Sequence, residues 1–162
     1  MMLAGWLIIF AMAFWFFNSK IERDINPNTT AVLAQQSGDE VRLERNREGH
    51  YVADGAINGF EVRFMIDTGA TSVALSESLG KKLQLRSTGR VQVSTANGAT
   101  LGHSTRLASV KVGSIELENI SAVMSHSMPD DMVLLGMSFL KHLDWSQKDG
   151  QLVFKLPQAQ AR

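Results

Sequence analysis

The chain contains no cysteine, which excludes disulfides, thiolate metal sites and a cysteine nucleophile. It has no excess of either charge: Lys plus Arg and Asp plus Glu number 16 each, so nothing points to a polyanionic partner and nucleic acid is not expected. Its histidines, His50, His103, His126 and His142, show no i,i+4 pair and no adjacent carboxylate set, so neither a metal site nor a cofactor is expected. There is no Gly-x-Ser-x-Gly and no recognisable Ser-His-Asp arrangement, which leaves serine-hydrolase chemistry unsupported.

What is present begins with an apolar run. Every residue from Met1 to Phe17 is apolar or glycine, and the first polar residues are Asn18, Ser19 and Lys20. A spanning helix needs about 20 apolar residues, or about 17 at the short end, so residues 1–19 are expected to form a transmembrane anchor, narrowly. A cleaved signal peptide would call for a basic leading segment and a small-x-small site, and neither precedes the polar stretch. Lys20 and Arg23 follow the run, and the positive-inside tendency applied to them favours a cytoplasmic domain. Residues 20–40 lack a sustained apolar period and are rich in Asn, Thr, Gln and Ser, the composition of a flexible tether. A chain of 162 residues then has room for one folded domain, placed at 41–156, with 157–162 as a tail.

Within that domain the apolar pattern alternates with period two in short runs, as in Val62-Arg63-Phe64-Met65-Ile66 and Val91-Gln92-Val93-Ser94-Thr95, which predicts strands. Asn58-Gly59 and Asn97-Gly98 are hairpin signals, because both central residues of a type I′ turn need positive φ, and Gly113-Ser114 predicts a third tight turn. Two short helices are expected, over 76–83 with Ser76 as cap and over 137–143. The fold class is therefore mainly β, a small closed barrel or sandwich.

The chemistry-bearing motif is Phe64-Met65-Ile66-Asp67-Thr68-Gly69-Ala70, an apolar strand that stops on a carboxylate. Taken alone, Asp-Thr-Gly is most simply an Asx turn in which Asp67 accepts backbone N–H groups and Gly69 supplies an unusual φ. The context is Val133-Leu134-Leu135-Gly136-Met137, a second apolar strand ending in glycine before a short helix. Together these motifs, with Gly49-His50-Tyr51, Ile57-Asn58-Gly59 and Ser94-Thr95-Ala96-Asn97-Gly98, resemble the retropepsin-like aspartic proteases, specifically the small bacterial, membrane-tethered members with one Asp-Thr-Gly-Ala per chain. The resemblance runs from Gly49 to Leu156.

That resemblance implies a single-domain acid-protease fold and an aspartic endopeptidase working as a homodimer, with one Asp67 from each subunit. Thr68, Gly69 and Ala70 would support the catalytic loop, Leu135 and Gly136 would pack behind it, and Thr95, Ala96, Asn97 and Gly98 would form a flap over an extended peptide. Asp130, Asp131, Asp144 and Asp149 are not followed by Thr-Gly or Ser-Gly and read as solvated turn residues. The resemblance also implies a bacterial inner-membrane protein with a periplasmic domain, against the weak charge signal. The other readings are a catalytically silent, membrane-tethered peptide-binding module and a precursor activated by self-cleavage in the tether.

Overall fold

The computed structural model describes residues 2–36, 38–95 and 98–157. Six strands close on themselves: β2 (Tyr51–Ile57), β3 (Phe60–Ile66), β4 (Val73–Ser76), β6 (Gly98–Val112), β7 (Ile115–Ser125) and β8 (Val133–Leu135). Their order is β2-β3-β8-β4-β7-β6, and β6 pairs back onto β2 through Gly55 to Ile57, which makes a barrel. β5 (Gly89–Thr95) extends the sheet beyond β6. A second, three-stranded sheet runs β1 (Glu40–Glu44), β10 (Gln151–Lys155), β9 (Asp144–Lys148). Leu43 and Phe154 from that sheet share one core with Phe64, Ile57, Leu75, Leu107 and Phe139, all fully buried. Burial of such side chains stabilises a fold by roughly 1.5–3 kcal/mol each.

The mainly-β closed fold thus matches expectation, and its local punctuation follows from residue chemistry. Asn58 and Gly59 join β2 to β3 with φ of 51° and 81°, both positive as a type I′ turn requires. Gly113, at φ 57°, turns β6 into β7. The short helix α3 (Glu77–Lys82) starts at its expected cap, the Ser76 hydroxyl accepting from the Leu79 N–H at 3.0 Å. α4 (Met137–Leu140) starts at the expected residue and ends sooner. β9 and β10 have no counterpart in the sequence reading; all five residues of β9 are exposed, so its sequence carries no alternation.

The N-terminal region departs most from expectation. α1 (Met2–Ile25) is helical for 24 residues and continues well past the apolar run. Among the described residues, however, no helix is long and apolar enough to cross a membrane. The spanning helix is therefore not found: the apolar stretch ends at Phe17, and Asn18 to Asp24 supply the last turns with polar and charged groups.

Nor are residues 26–36 a loose tether. Asn26 and Asn28 are buried, and the Asn28 amide donates to the carbonyl oxygens of Glu44 at 2.9 Å and Val52 at 2.7 Å while accepting from the Glu44 N–H at 2.7 Å. Asn26 donates to Asp54 Oδ1 at 2.7 Å, Asn46 donates to the Ile25 carbonyl at 3.1 Å, and Arg63 meets Glu22 at 3.2 Å. In the following short helix α2 (Thr30–Leu33), Leu33 is part of the core. Asparagine amides that satisfy backbone groups in the interior have the same composition as a solvated linker, and only three-dimensional placement separates the two.

Candidate active site

β8 lies between β3, to which it is parallel, and β4, to which it is antiparallel. The chain leaving β3 at Ile66 must therefore cross the end of β8 before returning as β4, and residues 67–72 make that crossing. The Asp67 N–H donates to the Leu135 carbonyl at 3.2 Å, which extends the parallel ladder by one residue and fixes where the carboxylate emerges. Asp67 Oδ1 accepts the Gly69 N–H at 2.8 Å, and the Ala70 N–H closes on the Asp67 carbonyl at 3.2 Å. This is the Asx turn anticipated from the sequence, with one correction. Gly69 is not among the positive-φ glycines; a Cβ there would sit 3.1 Å from Asp67 Oδ1, so the glycine gives room to the carboxylate.

The far side of the loop is tied to α4. The Met137 N–H donates to the Ala70 carbonyl at 2.8 Å and the Ser138 N–H to the Thr71 carbonyl at 3.0 Å. The Ser138 hydroxyl, itself buried, accepts the Val73 N–H at 3.0 Å and donates to the Ser121 carbonyl at 2.7 Å, so it joins the loop exit to β7. Leu135 and Gly136 stand behind the loop, and a Cβ on Gly136 would lie 2.6 Å from the Ala70 carbonyl oxygen and closer still to that of Ser72. Asp67 is half-buried while Thr68 and Gly69 are exposed at the apex. The anchoring of a single carboxylate on a loop held from both sides gives a rigid, solvent-reachable acid. Sequence reasoning missed Ser138, whose bond to Val73 spans 65 positions and leaves no local signature.

β5 and β6 form the hairpin expected around Asn97-Gly98, and Gly98 has a φ of 110°. Thr95 and Gly98 pair across its end; Ala96 and Asn97, also assigned to the flap, lie outside the described residues. β7 accompanies β6 only as far as Ser125 opposite Gly102, and residues 98–101 continue along β5. A pocket of about 690 Å³ opens beside the loop exit, lined by Thr71, Ser72, Met137, Ser138, Lys141 and His142 among others. Asp130 is exposed, and the hydroxyls of Ser76 and Ser78 hold its carboxyl below the usual range, with help from Lys82. Among the described residues no group of His, Asp and Glu could hold a metal ion.

This arrangement can be placed among known proteins. Residues 53–142, more than half of the chain, match the family described as "gag-polyprotein putative aspartyl protease". The chain belongs to that family. The matched span of this retropepsin-like chain contains the Asp67 loop, the hairpin, β8 and α4. It superposes on the crystal structure of a retropepsin-like aspartic protease from Rickettsia conorii with a TM-score of 0.61 and 31% identity, covering 72% of this chain and 90% of that one. Among curated proteins it is 29% identical over 135 residues to an uncharacterized protein in the cobV 5′ region of a Sinorhizobium species, covering 81% of this chain and 58% of the relative. It is 32% identical over 119 residues to the uncharacterized protein RP867 of Rickettsia prowazekii, covering 70% of this chain and 50% of that one. The chain thus spans about half the length of the curated relatives it matches.

Proposed function

We propose that this retropepsin-like chain is an aspartic endopeptidase that works as a homodimer, with Asp67 of each subunit contributing to one catalytic pair. The observation that carries the reading is the Asp67 loop: one half-buried carboxylate, held by Leu135 behind and α4 beside it, with Thr68 and Gly69 exposed at the apex. One carboxylate cannot both take a proton from water and give one to the scissile carbonyl oxygen. Two brought together at a two-fold axis can, because like charges at close range share a single proton. Such split titration is the established behaviour of aspartic proteases as a class. In this reading Thr68 and Gly69 meet the partner loop, Ala70 lies beside the substrate backbone, and Thr95 to Gly98 close over an extended peptide.

A surface for pairing supports the dimer. Among the described residues the outer edge of β9 has no partner strand, and an exposed edge is a template for a second chain. Antiparallel pairing of two β9 strands about Ser146 sets Asp144 against Lys148 of the partner subunit, an isologous contact of opposite charges. α1 attaches the chain to a membrane in this reading: Trp6, Leu7, Phe10, Phe14, Trp15, Phe16 and Phe17 are all exposed, on every face of the helix. We place the protein at the bacterial inner membrane with its domain in the periplasm, where a C-terminal reporter fusion tests the side.

The test is cleavage of a diverse peptide mixture by the full chain in detergent between mildly acidic and neutral pH, beside Asp67→Asn. Cuts between apolar residues by the wild type alone, from a species that sediments as a dimer, support the reading. Equal cleavage by Asp67→Asn, or activity confined to monomers, overturns it. Peptide binding by a dimer that never cuts assigns the groove to recognition instead.

A further inference from the structure

Beyond the Asp67 loop, the fold holds a second carboxylate between two imidazoles. Glu77, the first residue of α3, places Oε1 3.2 Å from His103 Nδ1 and Oε2 3.0 Å from His126 Nε2. Its side chain is only 17% exposed, so both oxygens are committed to these contacts in a partly desolvated spot. The three residues come from separate parts of the fold. Glu77 follows β4, which itself follows the Asp67 loop; His103 lies on β6; His126 lies in the turn that leaves β7.

The position of His103 gives the contact its meaning. It is the first β6 residue inward of Gly102, where β7 ceases to accompany the strand, which continues along β5. Gly102 is packed so closely that a Cβ would lie 2.9 Å from the Met124 carbonyl oxygen and 3.0 Å from Val93 Cγ2. The hairpin therefore springs from a tight root, and Glu77 grips the residue next to it. We propose that Glu77 is a positioning residue that clamps the root of the β5–β6 hairpin through His103 and His126. The substrate-side consequence rests on the reading of that hairpin as the cover of the peptide groove.

The His103 contact is a hydrogen bond between partly buried groups, whereas the His126 ring is 79% exposed, so the His103 arm carries most of the grip. The other charged groups around the clamp are few. Arg90 stands opposite His103 on β5, Lys81 and Lys82 occupy the last turn of α3, and Asp130 is occupied by Ser78. Met124, opposite His103 on β7, carries no charge. Glu77 is thus the group that joins α3 to the hairpin root and to the turn after β7.

The experiment is hydrogen exchange of the full chain in detergent, read at the amides of Val91, Val93 and Leu101. Glu77→Gln and His103→Asn, each checked for an unchanged unfolding midpoint, should lose roughly two- to fivefold protection at these amides, the range that one or two part-exposed contacts can supply, and leave the amides of β10 unchanged. Where peptide is cleaved, both variants should raise KM and leave kcat within about twofold, as a ground-state positioning effect does. Wild-type protection at the hairpin in Glu77→Gln, or an equal loss at the hairpin and at β10, overturns the proposal. Exchange needs no turnover, so a clamp that behaves as expected in a chain that cuts nothing upholds the clamp and removes the protease reading alone.

Discussion

Gly136→Ala is the substitution that most directly interrogates the way α4 supports the Asp67 loop. The backbone at Gly136 has φ −93° and ψ −170°, which any residue adopts, so the substitution has no dihedral cost and tests space alone. An added Cβ would lie 2.6 Å from the Ala70 carbonyl oxygen, 2.8 Å from the Ser72 carbonyl carbon and nearer still to the Ser72 oxygen. Ordinary contact begins at 3.4 Å, and all three atoms are backbone, so the loop must retreat by about 1 Å. Overpacking of this kind costs about 1–3 kcal/mol, which for a domain of this size lowers the unfolding midpoint by roughly 5–15 °C. A displacement of about 1 Å at a reacting group costs on the order of 100-fold in rate. Thermal unfolding and peptide cleavage measured together on the full chain give both numbers. Gly89→Ala is the matched control: nothing lies within 4 Å of its Cβ position, and both readouts should be unchanged. If Gly136→Ala unfolds and cuts like Gly89→Ala, the close approach of α4 to the loop is refuted.

Ser138→Ala should destabilise the domain by about 1–3 kcal/mol in urea unfolding, because the Val73 N–H and the Ser121 carbonyl both lose their partner, and Ser138→Thr should recover part of that loss. Asn28→Ala, which strips three backbone groups of their bonds, should cost on the order of 3 kcal/mol. Removal of residues 1–20, which keeps Glu22 and Ile25, should leave the unfolding midpoint nearly intact, whereas removal of 1–36 should lower it sharply; equal midpoints would show that residues 21–36 contribute nothing. Asp130, with its carboxyl held below the usual range, contributes stability that is present above the ordinary aspartate range near 3.9 and lost as pH falls through the lowered value. Asp130→Asn should accordingly flatten the acid limb of the stability curve, followed by unfolding midpoints between pH 2 and pH 5.

The parts of this fold that were legible in the sequence are those whose cause is local. Asn58-Gly59 makes its hairpin because two adjacent positive φ values select those residues, and Ser76 starts α3 because its own hydroxyl satisfies the N–H three positions on. The strand that stops on Asp67 was readable for the same reason, as was the barrel-forming alternation. What was hidden depends on distance along the chain. Ser138 acts on Val73 and Ser121, Glu77 on His103 and His126, and Asn28 on Glu44 and Val52, none within one turn or hairpin. β9 was hidden for a different reason. With neither face covered it has no burial pattern to display, so only its pairing with β10 defines it.

The short run from Ile25 to Gln36 also has a mechanical meaning. Because α1 passes into the barrel through buried asparagines and the Glu22–Arg63 pair rather than through slack chain, the helix and the barrel turn together. If α1 is held at a membrane, as proposed, the barrel would stand on a short stiff stalk with its height and heading set, unable to swing out to reach distant segments. In the proposed dimer, two such bodies in one plane would search for each other by sliding and spinning about a single axis instead of tumbling freely, which would remove most of the orientations in which a collision is wasted.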